Sequence, residues 1–392
     1  MKVGKHKKIL FITPGAESFG GNIFLLNFLR WFKENSRIPF VTLYGDGGDL
    51  SEDFAALSKT FQFNFSDKSE IFAKKAFGKL ANHLELKRLW LKSQILKENI
   101  GLIYCNAVTN HKMLSMFADL EVPVITHCHE LESLIQYYGV ENFNYTKNKT
   151  SEFIAVSDAV RQNLIENHQI SDDKIKLIYG FIPIETFSAD DLKRNRKMLC
   201  SELQIPENAF IVGASGTLNW RKAPEIFLHI ARDLFRQQTD KNIYFVWIGG
   251  AEKDSYELFE IRYESERSGL QNKFFFLEHK SNPLDYYAAI DAFAMVSRED
   301  PFPLVCLESA GFAKPILCFE NAGGMPEFVG DNCGFVVPFM NTEIFAGRIL
   351  ELYENPNLTK ILGENAAEKV RGNHNITISA PKVLEIIERF WN

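Results

Sequence analysis

The sequence predicts an α/β protein built as two doubly wound, Rossmann-like parallel-sheet domains facing a cleft. Three observations predict it. Short apolar runs alternate with longer stretches of helical spacing, the pattern of parallel strands covered by helices on both faces. The alternation occurs twice, on either side of a polar segment flanked by Pro183 and Pro206. The 392 residues suffice for two or three domains of about 150 residues each.

The first half opens with the run Lys8–Ile12, which Thr13–Pro14–Gly15 ends. After Gly20–Gly21–Asn22, the spacing of Phe24, Leu25, Phe28, Leu29 and Phe32 predicts a helix. Further strands are expected at 40–43, 102–104, 122–126 and 153–156. The polar stretch from Ser188 to Arg194 marks a linker that carries one helix. The unit then repeats, with strands expected at 210–213, 243–248, 274–277, 292–296 and 315–319. Ile226, Phe227, Ile230, Ala231 and Leu234 form a helix face, and an amphipathic helix ends the chain. The expected division is therefore 1–185, a linker 186–207, 208–375, and a helix 376–392 that packs back on the first domain. In open sheets of this kind ligands bind beyond the carboxyl ends of the strands, so chemistry is sought in those loops.

Composition excludes several classes. Apolar residues are 46% and charged residues 24%, the balance of a soluble globular chain. No apolar run approaches the roughly 20 residues of a membrane span, and Ile9–Ile12 is too short for a signal-peptide core. A cytoplasmic protein is expected. The six cysteines contain no CxxC pair, which argues against a cysteine zinc site. The net charge of −6 speaks against nucleic acid. Residues 68–98 are locally basic, eight Lys or Arg against three acids, interleaved with Leu84, Leu89 and Trp90. This stretch fits an anionic membrane surface at the inner face of the plasma membrane, or a solvated helix packed on its own domain.

The richest segment runs from Ser297 to Ala310. A strand leads into Asp300–Pro301–Phe302–Pro303, and a helix opens at Leu304 and Val305 and carries Glu308. An acid inside such a helix is costly unless partnered, and a hydroxyl-bearing ligand would partner it. An N-cap Asp and a surface Glu are the plain alternative. Gly216–Thr217 is followed by Arg221–Lys222, two cations on a loop after a strand, which suits a diphosphate. Gly249–Gly250 ends the strand Ile243–Ile248, and Ala322–Gly323–Gly324 follows another. Thr126–His127–Cys128–His129–Glu130 follows the strand at 122–126. It reads as a metal-ligand set, a structural histidine, or a ligand contact.

These residues resemble a retaining GT-B glycosyltransferase of family 4, the group-1 family, in its bacterial polysaccharide branch. Its signature, two acids eight apart, is matched by Asp300 and Glu308, with Asp for the first Glu and Pro303 for a glycine. Gly216–Thr217–Leu218–Asn219–Trp220–Arg221–Lys222 resembles the family's phosphate clamp, with Thr217 where Arg is usual. Gly20–Gly21 resembles its N-terminal glycine loop, and Asn22 follows it in place of the usual Ala. Val156–Ser157 and Arg161 resemble its V-S-x-x-x-R segment, and equally fit a plain helix start.

The resemblance implies a hexosyltransferase that needs no metal and no cofactor beyond a UDP- or GDP-sugar as donor. The acceptor it implies is a glycan or lipid-linked saccharide. It gives catalytic roles to His129, Asp300, Glu308, Lys222 and Arg221. Donor contacts fall to Gly20, Gly21, Gly216, Thr217, Gly249, Gly250, His279, Lys280, Pro303, Leu304, Val305, Gly323 and Gly324, and acceptor contacts to Asn22 and Glu130. A nucleotide-sugar epimerase of the same fold and a non-catalytic scaffold are the competing readings. A dinucleotide oxidoreductase is disfavoured, because Gly213–Ala214–Ser215–Gly216 lacks the third glycine of its fingerprint.

Overall fold

The computed structural model describes residues 7–64, 79–237, 240–250 and 255–391. The chain divides into two compact units. One runs to Tyr179 and takes back the chain from Ile376; the other is Gly180–Asn375.

The first unit holds a seven-stranded sheet of β1 (Lys8–Gly15), β2 (Phe40–Asp46), β3 (Lys59–Gln62), β4 (Ile100–Cys105), β5 (Val124–Cys128), β6 (Glu152–Ala155) and β7 (Ile175–Leu177). The order is β3-β2-β1-β4-β5-β6-β7, parallel throughout. Both faces of β1 are covered, which is why its sequence is a continuous apolar run rather than an alternation. Leu10 and Ile12 face a core with Leu91, Ile95 and Met113. Phe11 points the other way, edge-on to Phe28 and Phe32 of the helix Gly20–Asn35. The helix Ile376–Trp391 packs on that same helix, and Arg389 pairs with Glu152 at 2.5 Å.

The second unit holds a six-stranded parallel sheet of β8 (Phe210–Ser215), β9 (Ile243–Ile248), β10 (Phe274–Leu277), β11 (Ala292–Met295), β12 (Ile316–Phe319) and β13 (Gly334–Val337), in the order β10-β9-β8-β11-β12-β13. The segment expected as a linker carries the helix Ala189–Leu203, started by a capping box between Ser188 and Asp191. The two chain crossings between the units lie side by side within the second unit: the Ile182 N–H donates to the His374 carbonyl at 2.9 Å, and Ile182 bridges Asn375.

Three strands escaped the sequence reading: β3, β7 and β13. All three are sheet edges. β3 and β7 are short and carry Lys59, Thr60, Gln62 and Lys176, so they lack the apolar run of a central strand, whereas β13 is itself a short apolar run behind Gly334.

The basic stretch 68–98 is described in part. Its residues 68–78, with Lys68, Lys74 and Lys75, lie outside the described residues. The helix Lys79–Leu96 follows, and it exposes Leu86 (63%), Leu89 (60%) and Trp90 (63%). No helix among the described residues is long and apolar enough to cross a membrane.

Candidate functional site

Strand order reverses between β8 and β11 in the second sheet and between β1 and β4 in the first. Ligands of open α/β sheets sit at such switch points, beyond the carboxyl ends. In the second unit the loop after β8 brings Gly216, Thr217, Arg221 and Lys222 there, and the loop after β11 brings Ser297 to Pro303.

Backbone chemistry shapes the first loop. Gly216, Gly249 and Gly250 all have positive φ (150°, 82° and 81°), which favours glycine. A Cβ on Gly250 would lie 1.8 Å from the Gly216 carbonyl oxygen, so the loops after β8 and β9 touch backbone to backbone. The Trp247 indole N–H donates to that same Gly216 oxygen at 2.9 Å. Asn219 accepts the Lys222 N–H at 3.0 Å and donates to the Thr217 hydroxyl at 2.8 Å.

This loop delivers a charge cluster. Lys222 Nζ lies 2.5 Å from Asp300 Oδ2, and Arg221 Nη1 lies 3.3 Å from the same oxygen. Arg221 also donates to the Glu299 carbonyl at 3.0 Å, and Ser297 donates to Asp300 at 3.4 Å. Asp300 is 5% exposed. Burial pushes its carboxyl up, but Lys222 and Arg221 outweigh that and hold it below the ordinary value. Its main chain is zipped to the glycine loop after β12: Asp300 N–H donates to the Ala322 carbonyl at 2.7 Å, and Gly324 N–H donates back to Asp300 at 3.2 Å. Gly323 and Gly324 thereby flank Asp300. Arg298 ties the two loops together, donating to the Trp220 carbonyl at 2.6 Å and pairing with Glu225 at 2.6 Å.

Pro303 caps the helix Leu304–Gly311. Leu304 and Val305 stand in its first turn, where N–H groups have no helical carbonyl to meet. Glu308 is partly exposed and makes no hydrogen bond or ion pair among the described residues, and burial raises its carboxyl to about 7. Cys306, buried beside it, has its thiol pushed up first by burial and then by the charges of Asp300 and Glu308, with Lys222 opposing. Tyr287 also senses Glu308, and shares a 2.8 Å hydrogen bond with Ser215 at the end of β8. His279 is exposed, and Lys280 is engaged by Glu202 at 2.7 Å and by the Tyr286 ring.

In the first unit, the helix Gly20–Asn35 starts without a side-chain cap or an acid in its first turn. A Cβ on Gly20 or Gly21 would meet nothing within 4 Å. A helix end open to close approach is the kind of place where general principle puts an anion. Asn22 is buried: its amide donates to the Glu17 carbonyl at 3.0 Å and its oxygen accepts the Thr13 hydroxyl at 2.7 Å, so its side chain is spent on holding the turn.

His129 Nε2 lies 3.1 Å from Asn106 Oδ1, and its ring stands 4.8 Å from Phe24 and 4.5 Å from His127. Burial pulls its imidazole down to about 3, which keeps it neutral. Glu130 Oε2 accepts the N–H groups of Val108 (3.2 Å) and His129 (3.0 Å), and burial raises its carboxyl to about 7. His127 is fully buried, 2.6 Å from the Tyr104 hydroxyl. No group of three or more His, Cys, Asp or Glu among the described residues is placed to hold a metal ion. Ser157 caps the helix Asp158–Glu166 and Arg161 pairs with Asp172 at 2.6 Å, so that segment is spent on its own fold. Asn106 was missed in the sequence, and Ser297, which opens the segment singled out there, was given no role. Asn106 directly follows the switch-point strand β4, and its position there is the signal that marks it.

Residues 196–369 match the family model described as glycosyl transferases group 1, and residues 67–186 match glycosyltransferase family 4. The D-inositol 3-phosphate glycosyltransferase of Streptomyces bingchenggensis is 25% identical over 220 residues, 55% of this chain and 48% of that protein. The capsular polysaccharide biosynthesis glycosyltransferase CapM of Staphylococcus aureus is 20% identical over 250 residues, 62% of this chain and 61% of that protein. The chain spans about half the length of the inositol-phosphate relatives it matches. Anabaena HepE, solved with UDP and glucose, superposes with a TM-score of 0.80 at 20% identity, over 98% of this chain and 100% of that one. The chain belongs to the group-1 glycosyltransferases of family 4 and has their GT-B fold.

Proposed function

We propose that this chain transfers a hexose from a nucleotide-sugar to a hydroxyl of a glycan or lipid-linked saccharide, with retention at the anomeric carbon and without a metal ion or other cofactor. The observation that carries the reading is the cluster at the ends of β8 and β11. Two cations share the buried carboxylate of Asp300, and Glu308 stands nearby as an unpaired acid. A ribose diol offers Glu308 two hydroxyl donors. Lys222 and Arg221 meet the diphosphate, whose charge grows as it leaves, and fixed cations in a dry site stabilise such charge strongly. Asp300 accepts a hydrogen bond from the donor sugar, and His129 meets a sugar hydroxyl.

The bond from the anomeric carbon to the diphosphate oxygen breaks first. The acceptor oxygen then bonds that carbon on the same face, and its proton passes to the departing phosphate oxygen. HepE, which holds UDP and glucose, supports UDP-glucose as the first donor to try, and CapM supports a polysaccharide acceptor. UDP at 100 times its dissociation constant adds about 2.7 kcal/mol of stability. That raises the melting temperature by roughly 5–10 °C. GDP, ADP and dTDP serve as comparisons. No shift with any of the four sinks the reading, and turnover of UDP-glucose without an acceptor to a second nucleotide-sugar moves it to the epimerase.

The same reading places the chain at an anionic membrane. The face of Leu86, Leu89 and Trp90, beside exposed Lys87, is the support for it. Sedimentation with vesicles should increase with anionic lipid content and fall for Trp90→Ser. Equal recovery with neutral and anionic vesicles removes the membrane from the account.

A further inference from the structure

We infer that Asn106 is a positioning residue that holds His129 as its Nε2–H tautomer and thereby leaves Nδ1 as an acceptor aimed at a ligand hydroxyl. The inference rests on the proposed function only for the identity of that hydroxyl, a sugar's. The tautomer follows from a chain of hydrogen bonds that runs in one direction only. Asn106 comes directly after β4, and its backbone N–H donates to the Ile12 carbonyl at 2.8 Å, which fixes its main chain at the switch point. Its side-chain nitrogen lies 2.8 Å from the Gly21 carbonyl. A carbonyl oxygen can only accept, so the NH2 end of the amide must face Gly21. The amide oxygen is therefore the end that faces His129 Nε2, at 3.1 Å. An amide oxygen can only accept as well, so Nε2 carries the proton. In a neutral imidazole the other nitrogen is then a lone pair.

Nothing among the described residues uses that lone pair. His129 is partly exposed, and no hydrogen bond reaches its Nδ1. The neighbours do not supply a charge that would protonate it. Phe24 lies edge-on at 4.8 Å, and the His127 ring at 4.5 Å is itself held neutral by burial. Glu130 is adjacent in sequence, and its carboxylate oxygen is directed at the backbone N–H groups of His129 and Val108. Gly21 belongs to the same network, so the glycine loop that opens the helix Gly20–Asn35 and the histidine are held by one amide. An aspartate at 106 would turn the pair into a carboxylate–imidazole dyad and favour the imidazolium. The amide is thus what separates a neutral acceptor from a cationic donor at this position.

The test is histidine-selective 15N NMR on the full chain, with His129→Gln used to assign the signal. In the wild type, His129 should show Nε2 protonated and Nδ1 bare, unchanged from pH 8 to pH 5. Asn106→Asp should move its titration upward by at least 2 pH units, so that imidazolium appears within that range. Asn106→Ala, which removes the constraint without adding charge, should give a mixture of tautomers. A wild-type His129 protonated on Nδ1, or titrating near pH 6.5, overturns the assignment without any variant having to fold. So does an Asn106→Ala spectrum identical to the wild type. The reading on which the hydroxyl's identity rests is scored separately, by the UDP-induced thermal shift. The expected tautomer with no UDP shift supports the role of Asn106 and withdraws the sugar.

Discussion

Lys222→Met should cut turnover by about 10²–10³-fold, the usual cost of removing one fixed group that stabilises developing charge. Methionine keeps the length of the side chain and deletes the cation. The same change should cost stability. Asp300 is 5% exposed, and its closest partner disappears, leaving Arg221 at 3.3 Å. Breaking a buried pair from one side costs about 3 kcal/mol. For a unit of this size that is roughly 6–12 °C in melting temperature. The two effects are separable. Adding Asp300→Asn removes the stranded charge, so the double variant should recover melting temperature while turnover stays low.

The sign of the pH dependence follows from the lowered Asp300 carboxyl. Its contribution is present above the ordinary aspartate value of about 3.9 and is lost as pH falls through the lower folded value. The gap in melting temperature between wild type and Lys222→Met should therefore be widest near neutral pH and close as pH falls towards 3, where protonation of Asp300 removes the stranded charge. Thermal melts of the three proteins between pH 3 and 8, beside a UDP-release assay, check both halves. Equal melting temperatures for wild type and Lys222→Met would remove the ion pair from the account, and unchanged turnover would remove the diphosphate role.

Glu308→Gln should behave oppositely on stability and alike on function. The carboxyl of Glu308 is raised from 4.5 to about 7 by burial, with no partner to offset it. A raised acid binds protons in the folded state that the unfolded chain has released. Wild-type stability therefore falls as pH rises from about 4.5 to 7, by up to roughly 3 kcal/mol. The glutamine variant lacks that slope. At pH 8 it should melt higher than the wild type, and near pH 4 the two should coincide. Its UDP-induced shift should vanish, because an amide accepts ribose hydroxyls far less strongly than a carboxylate. Wild-type UDP binding should tighten as pH rises through 7, as the carboxyl ionises. A glutamine variant that melts lower at every pH would make Glu308 a structural residue, and an undiminished UDP shift would take it out of the nucleotide site.

What was legible in the sequence had a local cause. Asp300, Glu308, Arg221 and Lys222 lie in short segments whose strand, loop and helix can be read within a few residues. Central strands such as β1 and β9 announce themselves because both their faces are buried. What was not legible depends on pairings across distance. Lys280 reads as a loop cation, yet it is held by Glu202, 78 residues away. Asn106 reads as an ordinary loop residue until β4 is set beside β1, which brings it to Gly21, 85 residues away. Edge strands β3 and β7 were invisible for a related reason: they are short and carry polar residues on the side that meets water, which leaves no apolar signature.

The helix Ile376–Trp391 belongs to the first unit, though the ribosome delivers it after the whole of the second. Domains generally fold as units during synthesis. Here the second unit has all its strands before the first has its last helix. Until then the surface that receives Val383, Ile386 and Ile387, all buried in the finished protein, waits uncovered. The nascent first unit is therefore the half that exposes apolar surface for longest during synthesis. A fragment cut at Tyr179 would carry that defect permanently, whereas one spanning Gly180–Asn375 keeps its own paired ends.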